Sequence, residues 1–166
     1  VLNGIIHECD RLLRNSGDKI PSFFHSVYGR ALGDLAMYHT EEDESSISDY
    51  YEAAIERLEN GLGKHPKNAE IHLALAQVLV NQIPLQYISQ LPTDGTIPED
   101  TDLPEFLELL GAAMASYEAS LANGEPEAAQ LLAYLQSYDV LLDMIDNFGQ
   151  VDGKDDKDDD DENDDE

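Results

Sequence analysis

Positive charge is what this chain has least of. Nine lysines and arginines stand against 36 aspartates and glutamates in 166 residues, for a net charge of −27 and a pI near 4.1. A surface of that sign repels phosphate backbones and anionic lipid. Direct binding to nucleic acid or to a charged membrane is therefore disfavoured, and a basic protein partner is favoured. Part of the charge is concentrated at one end. From Asp152 onward there are eleven acidic residues and two lysines, a net −9, which leaves −18 on the remainder.

Cysteine is nearly absent. Cys9 is alone, so the chain forms no intramolecular disulfide, and a reducing compartment fits best. No signal peptide is expected. Long hydrophobic runs are missing too. The longest uncharged stretch, 71–93, is broken by Asn81, Gln82, Pro84, Gln86, Gln90 and Pro92, which argues against a membrane span. No segment alternates apolar and polar residues as a half-buried strand would. The first residue is Val1 rather than methionine and enters mid-helix, so the chain is expected to be a fragment.

What remains is helix. Periodicity predicts a first helix from Leu2 to Asn15, stopped at Ser16-Gly17. A second begins near Pro21 and carries Phe24, Tyr28, Ala31, Leu35 and Tyr38 on one stripe. Ser46 and Asp49 stand in capping-box register for a third, "YYEAAIERLENGL", which Gly61 and Gly63 are expected to end before Pro66. Asn68 is positioned to cap a fourth, and Ile83 should leave helical geometry ahead of Pro84. "PLQYISQLP" reads as one or two short helical turns and "TDGTIPEDTD" as a loop. Two more helices follow, Pro104 to Ala122 and Glu125 to Phe148. The last bears an apolar seam of Leu131, Leu135, Tyr138, Leu142 and Ile145. The expected organisation is a helical domain over 1–149 and a disordered acidic tail over 150–166, which has no apolar residues to bury.

Short connections between helices predict antiparallel hairpins. Within the third and fourth helices, Ala54, Leu58, Gly61 and Pro66 followed by Leu75, Ala76 and Leu79 resemble the tetratricopeptide repeat, in which small residues let helices approach closely. No second copy appears at about 34-residue spacing. The fold class expected is all-α: antiparallel hairpins in a TPR-like right-handed superhelical array. On the fourth helix, Glu70, Leu73, Gln77 and Asn81 share a face by three- and four-residue spacing. In such an array that face lines the concave groove. Leu73 would offer an apolar contact to a protein partner, and Gln77 and Asn81 hydrogen bonds.

Several stretches imitate chemistry without the geometry for it. "HECD" (residues 7–10) offers four ligand types, but successive helix residues point about 100° apart and cannot converge. Cys9 belongs with Leu2, Ile5, Ile6, Leu12 and Leu13 on the apolar face, while His7, Asp10 and Arg14 fall on the polar side. His39, Glu41 and the later His72 have the order of an iron-binding facial triad without the strands on which it is built, and His72 is expected to pack between repeats. "GLGKHP" ends a helix instead of starting one, so it is not a phosphate loop. The acidic tail lacks the register of a calcium loop. No catalytic, metal or cofactor site is expected, and no enzyme.

Four segments in order, "VLNGIIHECDRLLR", "AAIERLENGL", "NQIPLQYISQLP" and "LLDMIDNFG", together resemble the fungal enhancer-of-translation-termination family, which includes negative regulators of a prolyl hydroxylase. The resemblance covers residues 1–149. It implies an all-helical TPR-like fold, a nuclear and partly cytoplasmic protein, and no catalysis of its own. It also implies association with a 2-oxoglutarate-dependent prolyl hydroxylase that modifies a ribosomal protein, and a role in efficient translation termination. Family members are longer, with a basic segment before "VLNG" and a second helical half, so "NDDE" resembles an internal linker. An acidic chaperone or nuclear-import adaptor for a basic ribosomal protein is the competing expectation.

Overall fold

A computed structural model describes residues 1–16, 19–38, 46–92, 96 and 103–148. Among them are six α-helices, a short 3₁₀ turn and no strand. The helices are α1 (Leu2–Ser16), α2 (Ser22–Ala36), α3 (Ile47–Lys64), α4 (Ala69–Gln86), α5 (Leu103–Asn123) and α6 (Ala128–Asp146); the 3₁₀ turn, Ile88–Gln90, follows α4. The protein is all-α, as its periodicity predicts. None of these helices is long and apolar enough to cross a membrane. The segment holding His39 and Glu41, and the acidic tail from 150, lie outside the described residues.

Two helix starts follow from local chemistry. Ser46 Oγ accepts the Asp49 N–H at 3.2 Å, and the Ser46 N–H donates to the Asp49 carboxylate at 2.7 Å. This completes the capping box and satisfies two backbone donors reciprocally. Asn68 Oδ1 accepts the Ile71 N–H at 2.9 Å at the start of α4.

Two expected stops do not act as stops. Helix α3 runs through Gly61 and Gly63 to Lys64, and neither glycine adopts the left-handed backbone of a glycine stop. Gly61 is a packing residue instead. A Cβ there would sit 2.6 Å from His25 Cβ on α2, and one at Gly29 on α2 would run into the buried Leu58 side chain on α3. The pairing of 25 with 61 and 29 with 58 makes α2 and α3 antiparallel, with their backbones close. Helix α4 likewise continues through Pro84, and the Tyr87 N–H donates to the Ile83 carbonyl at 3.1 Å. Proline removes one N–H and crowds the carbonyl four residues back. Here Ile83 is fully buried and Leu85 partly so, and that burial holds the last turn.

Helices α3 and α4 form the next antiparallel pair. Tyr51 OH donates to the Asn81 carbonyl at 3.0 Å and Gln86 Nε2 to Ser48 Oγ at 3.1 Å. Ala54 and Ala76 are both fully buried, as the repeat-like spacing predicts. Helix α1 packs on α2, and α4 packs on α2, α3, α5 and α6. The even-numbered helices therefore stand in sequence, α2 beside α4 beside α6, an arrangement compatible with stacked hairpins. No residue of α4 is exposed. A helix that is apolar nearly all round is a central one, and α4 is the centre of this molecule.

Candidate protein-binding surface

The face of α4 singled out by spacing is partly closed. Leu73 is fully buried because α5 and α6 as well as α2 and α3 pack on α4. It is a core contact, so the apolar anchor expected there does not face outward. Glu70, Gln77 and Asn81 are each half-buried, and Asn81 lends its carbonyl to Tyr51. They form a polar edge.

Glu70 belongs to a charged junction of the three even-numbered helices. It lies in the first turn of α4, where the helix dipole favours a carboxylate. Arg30 on α2 donates from Nη2 to Gln130 Oε1 on α6 at 2.6 Å, and its Nε makes no hydrogen bond. Burial pulls the Arg30 pKa below its ordinary value, and the carboxylates of Glu70, Asp34 and Glu127 oppose that pull. Burial likewise raises Asp34, with Arg30 as the counterweight. One guanidinium among three carboxylates leaves the junction net negative. Nearby, Ser120 Oγ on α5 donates to the Ala69 carbonyl at 2.7 Å, and a Cβ at Gly124 would lie 3.2 Å from Ala69 Cβ. The N-terminus of α4 is thus fixed from α2, α5 and α6 together.

The "HECD" stretch is a turn of α1. Cys9 is buried, and His7 and Glu8 are exposed, with Glu8 paired to Arg11 at 2.8 Å through Nε. Asp10 departs from its expected solvent-facing place. It is half-buried and accepts the Tyr28 hydroxyl proton from α2, while the Arg57 guanidinium sits 5.2 Å above the Tyr28 ring. His72 Nε2 lies 2.9 Å from the Pro66 carbonyl, so it steadies the turn before α4. Among the described residues no three His, Cys, Asp or Glu side chains gather as metal ligands would.

The seam on α6 is apolar as expected but rotated from its expected burial. Tyr134 and Leu141 are buried, Leu131 and Tyr138 half-buried, and Leu135, Leu142 and Ile145 exposed. Tyr134 turns inward because it stacks on Tyr117 of α5, ring centroids 4.8 Å apart. On α5, Leu107, Met114 and Leu121 are also exposed. Of these exposed positions, Leu135, Leu142 and Ile145 belong to the seam expected to pack.

Comparison with known proteins bears out the family resemblance. The family described as "Nuclear pore complex subunit Nro1" matches residues 1–166. "Enhancer of translation termination 1" of Scheffersomyces stipitis is 40% identical over 177 residues, covering 94% of this chain and 40% of that protein. Proteins of the same name from Debaryomyces hansenii and Meyerozyma guilliermondii are 38% and 42% identical, covering 94% and 89% of this chain and 40% and 36% of their own lengths. The chain thus spans about two fifths of the relatives it matches. No solved structure matches it. On the match over its whole length, the chain belongs to the Nro1 family, among the relatives of the enhancers of translation termination.

Proposed function

We propose that this chain is a non-enzymatic helical adaptor that supports efficient translation termination by binding other proteins. The observation that carries the reading is its similarity to proteins named for enhancing termination, which carry the name of an enhancer and not of an enzyme. The partner is a 2-oxoglutarate-dependent prolyl hydroxylase, a basic ribosomal protein on which such an enzyme acts, or both. The net charge of −27 supports a basic partner and disfavours nucleic acid. The half-buried polar edge of Glu70, Gln77 and Asn81 is the proposed contact on α4. The family description supports a nuclear association, with a cytoplasmic share proposed beside it.

The test is stop-codon readthrough in a yeast lacking its own relative. This chain is expressed alone, and also grafted in place of the matching region of a full-length relative. The graft is expected to lower readthrough toward the normal level. Readthrough that stays high with both forms overturns the reading. The charge also favours a second reading, an acidic chaperone or nuclear-import adaptor for a free basic ribosomal protein. Salt separates the two, because an acidic shield releases its cargo steeply as ions screen it, whereas a shape-matched adaptor loses less.

A further inference from the structure

Helix α6 carries an apolar stripe that the fold leaves open. Leu135, Leu142 and Ile145 are 47%, 45% and 42% exposed, and their seven- and three-residue spacing puts them on one face. The charge around it is one-sided as well. Between Leu103 and Phe148 there are eight acidic residues and no lysine, arginine or histidine. By helical register, Asp139 and Asp146 border the stripe.

Resting on the protein-binding reading above, we infer that the α6 stripe docks an amphipathic helix of a partner, one with an apolar face and basic flanks. The backbone of α6 is already hydrogen-bonded within its helix, so recognition runs through side chains and not through strand addition. Leu135 and Leu142 stand about 10 Å apart along the axis, the interval between residues i and i+7 of a second helix. Apolar residues of the partner fill the stripe, and its lysines or arginines meet Asp139 and Asp146. A second copy of this chain is the poorer occupant, because it brings another body of net −27 against the first.

The probe is a synthetic three-heptad peptide with leucines at the a and d positions and lysines on the flanks. It is titrated against the whole chain beside a scrambled peptide of the same composition and a version with glutamate for lysine. The patterned basic peptide is expected to bind at least about tenfold more tightly than either control. Leu135→Asp with Leu142→Asp is expected to weaken it about tenfold, about 1.4 kcal/mol, with the melting temperature unchanged. Leu135→Gln with Leu142→Gln serves if the charged pair perturbs folding. Equal binding of the scrambled peptide reduces the effect to bulk charge and overturns the stripe as a docking site. So does equal binding of the acidic peptide, or indifference to both pairs of substitutions. A dimer in sedimentation that the same substitutions dissolve assigns the stripe to a second copy and overturns it too. If the graft restores termination while the peptide ignores Leu135 and Leu142, the adaptor stands and this docking stripe does not.

Discussion

His25 is a histidine packed as a hydrophobe. It is 1% exposed, meets the Phe24 ring edge-on at 5.8 Å and lies 6.3 Å from the His65 ring. Neither ring nitrogen makes a hydrogen bond of ordinary geometry. Burial holds its pKa below the ordinary value of 6.5. The backbone of Arg57 pulls the other way, and the positive charges of Arg57, Lys64 and His65 act with burial. The unfolded chain then takes up a proton before the native one does. Stability is complete above pH 6.5 and falls as pH drops through it. Thermal melts from neutral to acid pH should show this decline, and His25→Phe should flatten it; an identical slope in the variant rules the residue out as its source. The glycines beside it give a paired expectation. Gly61→Ala drives a Cβ into His25 and should cost about 1–3 kcal/mol. Gly63→Ala meets open space and should stabilise α3 by up to about 1 kcal/mol, both read from denaturant midpoints. Cys9 is buried, and burial together with the Asp10 and Glu8 carboxylates pushes its thiol pKa up. It should resist thiol reagents in the native protein and react on denaturation.

At the scale of the element, helix starts and the inner faces of α1 and α3 are legible, and the outer faces of α4 and α6 are not. Ser46, Asp49 and Asn68 announce their helices because a cap is a bond between residues three apart. Gly61 reads as a stop from its own neighbourhood and acts as a spacer because His25, far away in sequence, lies against it. Pro84 reads as a break for the same local reason, yet the burial of Ile83 carries the helix past it. Leu73 and the α6 seam went astray differently. Their spacing is apolar in either case, and which side is covered depends on how α5 and α6 sit on α4. The polar edge of α4 still offers a test at this scale. Gln77→Arg with Asn81→Arg should leave the melting temperature unchanged, since long side chains reach from half-buried positions to water. Partner capture by the grafted full-length protein should weaken. Capture that persists with every partner removes this edge from the binding surface.

At the scale of the whole molecule, the missing positive charge is the most legible property and the arrangement around α4 the least. Charge is a sum over residues and needs no fold. The central place of α4 needs all of it, because no local pattern says that one helix will be shared by α2, α3, α5 and α6. That sharing has a consequence for how the protein comes apart. A row of helical units that touch only their neighbours can lose one end while the other stays intact. Here the α2–α3 side and the α5–α6 side rest on the same helix, so neither end is released without disturbing it. Unfolding should be cooperative across α2 to α6. The backbone amides of α4 should be the slowest to exchange with deuterium, opening only with the global transition. Amides of α1, which among the described residues packs chiefly on α2, should exchange through smaller, earlier openings.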